Sequence, residues 1–280
     1  MGLGGSDPRR LGPYRLLGVL GSGEFGRVYA GRGAPRGSVR RRLVAVRALR
    51  PELLRDRQVR ARLRRELRVG ADCGSPWVAP AVDGELDGDR PWVAWTLVPG
   101  TSLRRLVLRH GPLPEPALPP LAGALAHGLA ALHRVGTAHG APRPGTVLLH
   151  LDRPRLVDHG LALTVPDGGP ARDVFDLAVL LVFAVVARPP FRGLRPVASA
   201  APPGPDLTGV PEEVRPTLLA CLHPDPARRP SPRELAEALD PQGRAEEPAH
   251  QWLPEAYRRQ IEADRAALRR LVGRRFGAVG

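Results

Sequence analysis

Three glycines, at positions 21, 23 and 26, are the residues whose spacing first carries a chemical meaning. The run Gly21-Ser22-Gly23-Glu24-Phe25-Gly26-Arg27-Val28 fits G-x-G-x-x-G-x-V. Glycines at this spacing let a backbone come close to a polyphosphate and donate N–H groups to it. A dinucleotide site would place the same triplet at a strand-to-helix turn. Here strand residues follow (Arg27-Val28-Tyr29-Ala30), so the turn joins two strands, and a plain hairpin tip is the competing reading. The second chemical fact is an absence: the chain holds no lysine and no asparagine. A phosphate loop of the G-x-x-x-x-G-K type is therefore excluded, because its phosphate-reaching lysine has no candidate. Cys73 and Cys221 stand far apart, neither with a C-x-x-C neighbour. That argues against a zinc cluster and against a disulfide framework, and reads as two small buried hydrophobes.

These residues need a frame. Alternation with glycine punctuation from Tyr14 to Val28 predicts a strand, a Gly-rich turn and a returning strand. After an Arg/Gly loop (Gly31–Arg42), Leu43–Leu49 is a third strand. Leucines at 53, 54, 63 and 67 among arginines predict an amphipathic helix over Pro51–Gly70. Val78–Val82 and Trp92–Leu97 read as two more strands about an acidic turn. Beyond Pro99-Gly100 the pattern becomes helical. Leu118, Leu121, Leu125, Leu129 and Leu132 predict a helix over Pro116–Val135, followed by short strands at Val147–Leu151 and Arg155–Val157. Asp173–Ala187 is almost wholly apolar and so reads as a central, buried helix. Arg192–Pro205 is loop by its Pro and Ala content, and helices resume at Glu212–Leu222 and Pro232–Leu239. A polar linker, Asp240–His250, leads to an amphipathic tail helix over Pro254–Phe276, with Tyr257, Ile261, Leu268 and Leu271 on one face.

Composition limits the possible functions. A chain of 280 residues with 42% hydrophobic residues has material for one large domain or two small lobes. No apolar run reaches the roughly 18–20 residues a membrane span needs, and the opening MGLGGSDPRRLG lacks the apolar core of a signal peptide. The expectation is a cytoplasmic protein with no membrane partner. A net charge of +14 raises nucleic acid as a partner. Every basic side chain is arginine, however, dispersed apart from Arg40–Arg42, Arg60–Arg68 and Arg269–Arg275. Aromatics at 4% are too few for a single-strand stacking surface. Nucleic acid is the least favoured class.

Further landmarks follow the glycine turn in a fixed order. They are Val44-Ala45-Val46-Arg47 on the third strand, Glu66 on the next helix, and the loop His139-Gly140-Ala141-Pro142-Arg143-Pro144-Gly145-Thr146. Asp158-His159-Gly160, the helix start Arg172-Asp173-Val174-Phe175-Asp176, Arg188-Pro189-Pro190-Phe191 and Asp225–Pro230 come after. In order and spacing they resemble the bacterial serine/threonine protein kinase family over about residues 13–240. The resemblance implies an α+β, bilobal protein-kinase-like fold. Residues 1–12 would be a disordered lead and 13–98 an N-lobe of sheet with one helix. Residues 99–240 would be a mainly helical C-lobe, and 241–280 a linker and tail helix. It also implies a nucleotide site built from Gly21, Ser22, Gly23, Phe25, Gly26, Val28, Ala45, Arg47, Glu66, Thr96 and Val98. Trp95 would guard the pocket behind the adenine.

The same resemblance exposes departures. Arg47 stands where the family has lysine, and its planar fork is bulkier than an ammonium. It either pairs with Glu66 as a structural clamp or faces phosphates. His139 opens the catalytic loop, but Ala141 occupies the position of the catalytic aspartate, and Thr146, a poorer ligand, that of the asparagine that holds a second magnesium. With no Asn and no Lys in the chain, no realignment restores either residue. Asp158 remains as a single metal ligand, and His159 replaces a packing phenylalanine. Only twelve residues, Leu161–Arg172, separate Gly160 from Asp173, so the activation segment is shortened and Arg229 lacks its usual acidic partner. The leading expectation is a pseudokinase, a signalling module for an unidentified protein partner, with ATP bound weakly or not at all and magnesium poorly provided for. The alternatives are a residual protein kinase, an altered phosphoryl or nucleotidyl transferase, and an arginine-rich nucleic-acid binder.

Overall fold

Residues that alternate between a buried and an exposed face form strands, and six strands lie within the first hundred positions. In the computed structural model they are β1 (Arg10–Leu11), β2 (Tyr14–Gly23), β3 (Gly26–Gly33), β4 (Arg42–Leu49), β5 (Ala81–Glu85) and β6 (Trp92–Thr96). They form one antiparallel sheet in the order β1-β2-β3-β4-β6-β5. The structure describes residues 2–23, 25–160, 169–191 and 204–273, without the side chains at 58, 62, 66 and 69–71. Helix α1 (Arg57–Ala71) follows β4, and its Leu63 is fully buried in a cluster with Leu49, Val93 and Trp95. The β2–β3 hairpin turns at the paired Gly23 and Gly26. Gly26 has φ +129°, and a Cβ there would lie 1.8 Å from the Ala48 carbonyl oxygen, so no other residue fits.

The second half is helical: α2 (Leu103–His110), α3 (Leu118–Arg134), α4 (Pro170–Val186), α5 (Arg215–Cys221), α6 (Pro232–Leu239) and α7 (Glu255–Gly273). A small sheet, β7 (Thr101–Ser102), β8 (Val147–Leu149) and β9 (Arg155–Leu156), lies beside them. The core follows the leucine periodicity, with Leu121, Leu125, Leu129 and Leu132 of α3 and Leu177, Leu180 and Leu181 of α4 wholly buried. Both cysteines are buried and free, and burial pushes the Cys221 thiol up to about 12. The result is the expected bilobal arrangement: an antiparallel sheet lobe with one helix, then a mainly helical lobe.

Several expectations are corrected. The lead is not disordered over its described part. Asp7, nearly buried, accepts from Arg27 (2.6 Å) and the Tyr29 hydroxyl (2.9 Å), and β1 pairs with β2. The helix expected over Pro51–Gly70 is divided into a 3₁₀ turn at Pro51–Leu54 and then α1. Val78 forms only an isolated bridge with Leu156, and the strand begins at Ala81. Helix α2 was not anticipated, although Leu103, Leu106 and Val107 are buried at helical spacing and the Ser102 hydroxyl caps the Arg105 N–H. The segment 240–250 is no solvated linker. Asp240 is buried, accepts from Arg244 and Ala245, and packs so tightly on α3 that a Cβ at Gly123 would lie 2.5 Å from its carboxylate. Of the shortened segment 161–172, the loop Arg192–Pro205 and the tail to Phe276, residues 161–168, 192–203 and 274–276 lie outside the described residues.

Candidate functional site

The register of β3, β4 and β6 sets Arg47 opposite Val28 and Ala45 opposite both Ala30 and Trp95. Strand alternation then sends Arg47 toward the cleft beneath the glycine turn. Its Nη1 donates to the Gly26 carbonyl at 3.3 Å, and its Nη2 donates to Asp158 in a close ion pair. Asp158 itself has φ +62°, a left-handed conformation uncommon outside glycine, and is held between β9 and Gly160 (φ +79°). The Gly160 N–H donates to the His139 carbonyl and the Val157 N–H to the Thr146 carbonyl, so Asp158 is fixed from both sides. Of Glu66 only the backbone, on α1, is described.

The loop from α3 to β8 is anchored by a buried carboxylate. Asp173, on the first turn of α4, accepts the N–H of His139 (2.8 Å) and of Gly140 (2.7 Å), and meets His133 Nε2 at 2.8 Å. Ala141 follows directly and presents a methyl group. The Thr146 hydroxyl is spent on the loop itself: it receives the Arg143 N–H and lies 3.2 and 3.1 Å from the Ala141 and Arg143 carbonyls. Phe25, at the tip of the glycine turn, is buried, and the Arg143 guanidinium lies over its ring at 5.1 Å.

These parts enclose one cavity of about 930 Å³. Its wall brings together Gly21, Ser22, Gly23, Phe25 and Val28 from the hairpin with Ala45 and Arg47 from β4. Thr96, the last residue of β6, and Val98 just beyond it line it from one side, and Thr146 and Asp158 from below, so all these anticipated residues meet at one site. Gly26 serves it through its carbonyl bond to Arg47. Trp95 is buried against the same wall. The size suits a nucleoside-sized ligand, and the open flank of Gly21 leaves the backbone approachable. A magnesium ion is another matter. The Asp158 carboxylate is engaged by Arg47, and the Thr146 hydroxyl is committed to backbone. Among the described residues no three acidic, His or Cys side chains gather where they could hold a metal. Asp158 would hold such an ion only together with the phosphates of a bound nucleotide.

Residues 14–177 match the protein kinase domain family. The chain belongs to the bacterial serine/threonine protein kinase family. It is 35% identical to the serine/threonine-protein kinase AfsK of Streptomyces coelicolor, over 89% of this chain and 35% of AfsK. It is 34% identical to the probable serine/threonine-protein kinase PkwA of Thermomonospora curvata, over 83% of this chain and 34% of PkwA. The chain thus spans about a third of the length of these curated relatives. Among solved structures, the kinase domain of PknI from Mycobacterium tuberculosis superposes with a TM-score of 0.69 at 25% identity, covering 82% of this chain and 96% of that one.

Within this kinase-family domain, burial shifts several titratable side chains. His159 is fully buried and neither ring nitrogen finds a partner among the described residues. Burial, assisted by neighbouring His139, pulls its pKa down to about 3. His139 is buried too, and burial lowers it as well. Asp176 is raised to about 6 by burial, against the opposing Arg172 at 2.9 Å. Arg229, expected to stand without its acidic partner, is held instead by the Ala171 and His223 carbonyls (both 2.9 Å) and lies 4.9 Å over the Phe175 ring. Sequence reasoning missed His133 and Arg143. It also missed the α7 residues in the cavity wall, Asp264, Ala267, Leu268 and Leu271. Their helical stripe was visible; where it docks was not.

Proposed function

We propose that this kinase-family domain is a catalytically impaired, cytoplasmic pseudokinase that binds adenine nucleotide weakly and acts as a regulatory module for a protein partner. The observation that carries the reading is Ala141. The loop register is pinned by the His139 and Gly140 N–H groups on Asp173, so a methyl group occupies the place where a carboxylate would take the proton of an incoming hydroxyl. Loss of a general base costs roughly 10²–10⁴ in rate, against a normal turnover of about 1–100 s⁻¹ for this reaction class. The Arg47–Asp158 ion pair supports the same conclusion, because the one remaining metal carboxylate already has a cation. The glycine turn and the nucleoside-sized cavity support nucleotide binding.

The test is incubation of the purified chain with γ-labelled ATP and magnesium, alongside a thermal-shift titration with ATP in the presence and absence of the metal. The expected result is no transfer to the chain or to a generic protein substrate, with a rise in melting temperature that magnesium does not enlarge. Transfer that disappears on Asp158→Ala would refute the impairment.

A further inference from the structure

Helix α7 carries a stripe, Tyr257, Ile261, Asp264, Leu268 and Leu271, whose two ends have different fates. Tyr257 and Ile261 are 1% and 0% exposed, and the Tyr257 hydroxyl donates to the Gly111 carbonyl at 2.7 Å. Asp264 is fixed by the Thr101 hydroxyl (2.8 Å), Arg105 (3.2 Å) and Gln260 (3.0 Å). One turn further, Leu268 and Leu271 belong to no core cluster among the described residues. They remain half-buried, and together with Ala267 they line the same cavity as the glycine turn. The helix touches β2 in the sheet lobe as well as α2 and β7 in the helical lobe, so it stands across the cleft between them.

We propose that α7 is a wall of the nucleotide site, with Leu268 and Leu271 packing directly on the adenosine end of the bound ligand. The inference rests on the nucleotide reading above. Placement decides which end. Asp264 bonds to Thr101 and Arg105, just past the Thr96–Val98 segment, whereas Gly23 and Arg47 stand at the opposite, phosphate side. Volume argues for a wall over a plug: with α7 docked, about 930 Å³ remains open, enough for a nucleoside. A ligand entering that space would remove the remaining water contact of these two half-buried leucines.

The experiment titrates the full chain with adenosine and with ATP by calorimetry, then repeats both with Leu268→Ala and Leu271→Ala. Each variant should weaken both ligands by the same factor, about three- to tenfold, because the lost contact is apolar and remote from the phosphates. Arg259→Ala, at an exposed position paired with Glu255, should bind as the parent does. Melting temperatures within a few degrees of the parent show that the half-buried sites tolerate truncation, and the second leucine serves if the first does not. Unchanged affinity in folded variants would overturn the wall. Tighter binding would overturn it as well, since it would make α7 an obstructing lid. No saturable binding by the parent chain would refute the nucleotide reading itself, and the wall with it, before any substitution is compared.

Discussion

His159 occupies a fully buried site with two ring nitrogens unpartnered among the described residues, and replacing it with phenylalanine tests what that costs. The unfolded chain binds a proton at the ordinary imidazole value of 6.5, but the folded chain does so only near pH 3. Between those values the unfolded state holds more protons, so His159 leaves stability intact above pH 6.5 and removes it progressively as pH falls toward 3. From pH 8 to pH 5 the linkage amounts to about 2 kcal/mol, which is about 1.5 pH units below the unfolded pKa at 1.36 kcal/mol each. At pH 8, where the ring is neutral in both states, His159→Phe relieves an unsatisfied polar burial worth about 1–3 kcal/mol. The larger phenyl ring gives back a similar amount if the site cannot expand.

The pH dependence is therefore the cleaner readout. Urea unfolding of the parent and of His159→Phe at pH 8, 6.5 and 5 should show the variant losing about 2 kcal/mol less across that range. His139 remains in both proteins, so its own contribution largely cancels in the difference. Parallel stability curves for the two proteins would show that the His159 ring reaches water or a partner in solution, and the argument from burial would fail.

Two further outcomes follow from the charges around the cleft. Asp158→Asn removes the carboxylate that neutralises Arg47, so metal-free ATP should bind about tenfold tighter while adenosine is unaffected; calorimetry showing equal or weaker ATP affinity would mean that Arg47 does not face the phosphates. Asp176 holds its proton up to about pH 6 in the folded chain against 3.8 unfolded, so its favourable neutral form is fully present below 3.8 and lost as pH rises through 6. Asp176→Asn should gain about 2 kcal/mol relative to the parent between pH 4 and pH 7.5 in urea melts, and a constant gap would contradict the shift.

Much of this was legible from residue order. The glycine turn, the VAVR strand and the α3 and α4 leucine stripes fall where period-two and period-3.6 patterns put them, because local periodicity fixes local structure. Helix α2 escaped because eight residues with three arginines and a histidine carry a short apolar pattern, even though Ser102 announces its start. The 240–250 segment looked polar, and its role lies in what Asp240 does for two N–H groups and a glycine on α3, a contact more than a hundred residues away. The departures at Ala141, Thr146 and Arg47 were visible as letters. The ion pair of Arg47 with Asp158 was not, because it depends on the left-handed backbone that aims Asp158. Nor could helical spacing say that Leu268 and Leu271 end at the cavity while Tyr257 and Ile261 end in the core.

The substitutions make physical sense as one charge arrangement. In a metal-using site the carboxylate at Asp158 would have its negative charge met by the ion, and the strand cation would be left for phosphate. On the reading proposed above, Arg47 takes over the first task. Its fork reaches two places at once, Asp158 in the helical lobe and the Gly26 carbonyl in the sheet lobe, which a single ammonium would serve less well. The same two lobes are joined again by Phe25 beneath Arg143 and a third time by α7, which spans from β2 to α2. An enzyme that must release product depends on opening its cleft at each turnover, and three ties across that cleft oppose it. A module that presents one fixed surface to a partner gains from the same ties, because the ordering is complete before the partner arrives.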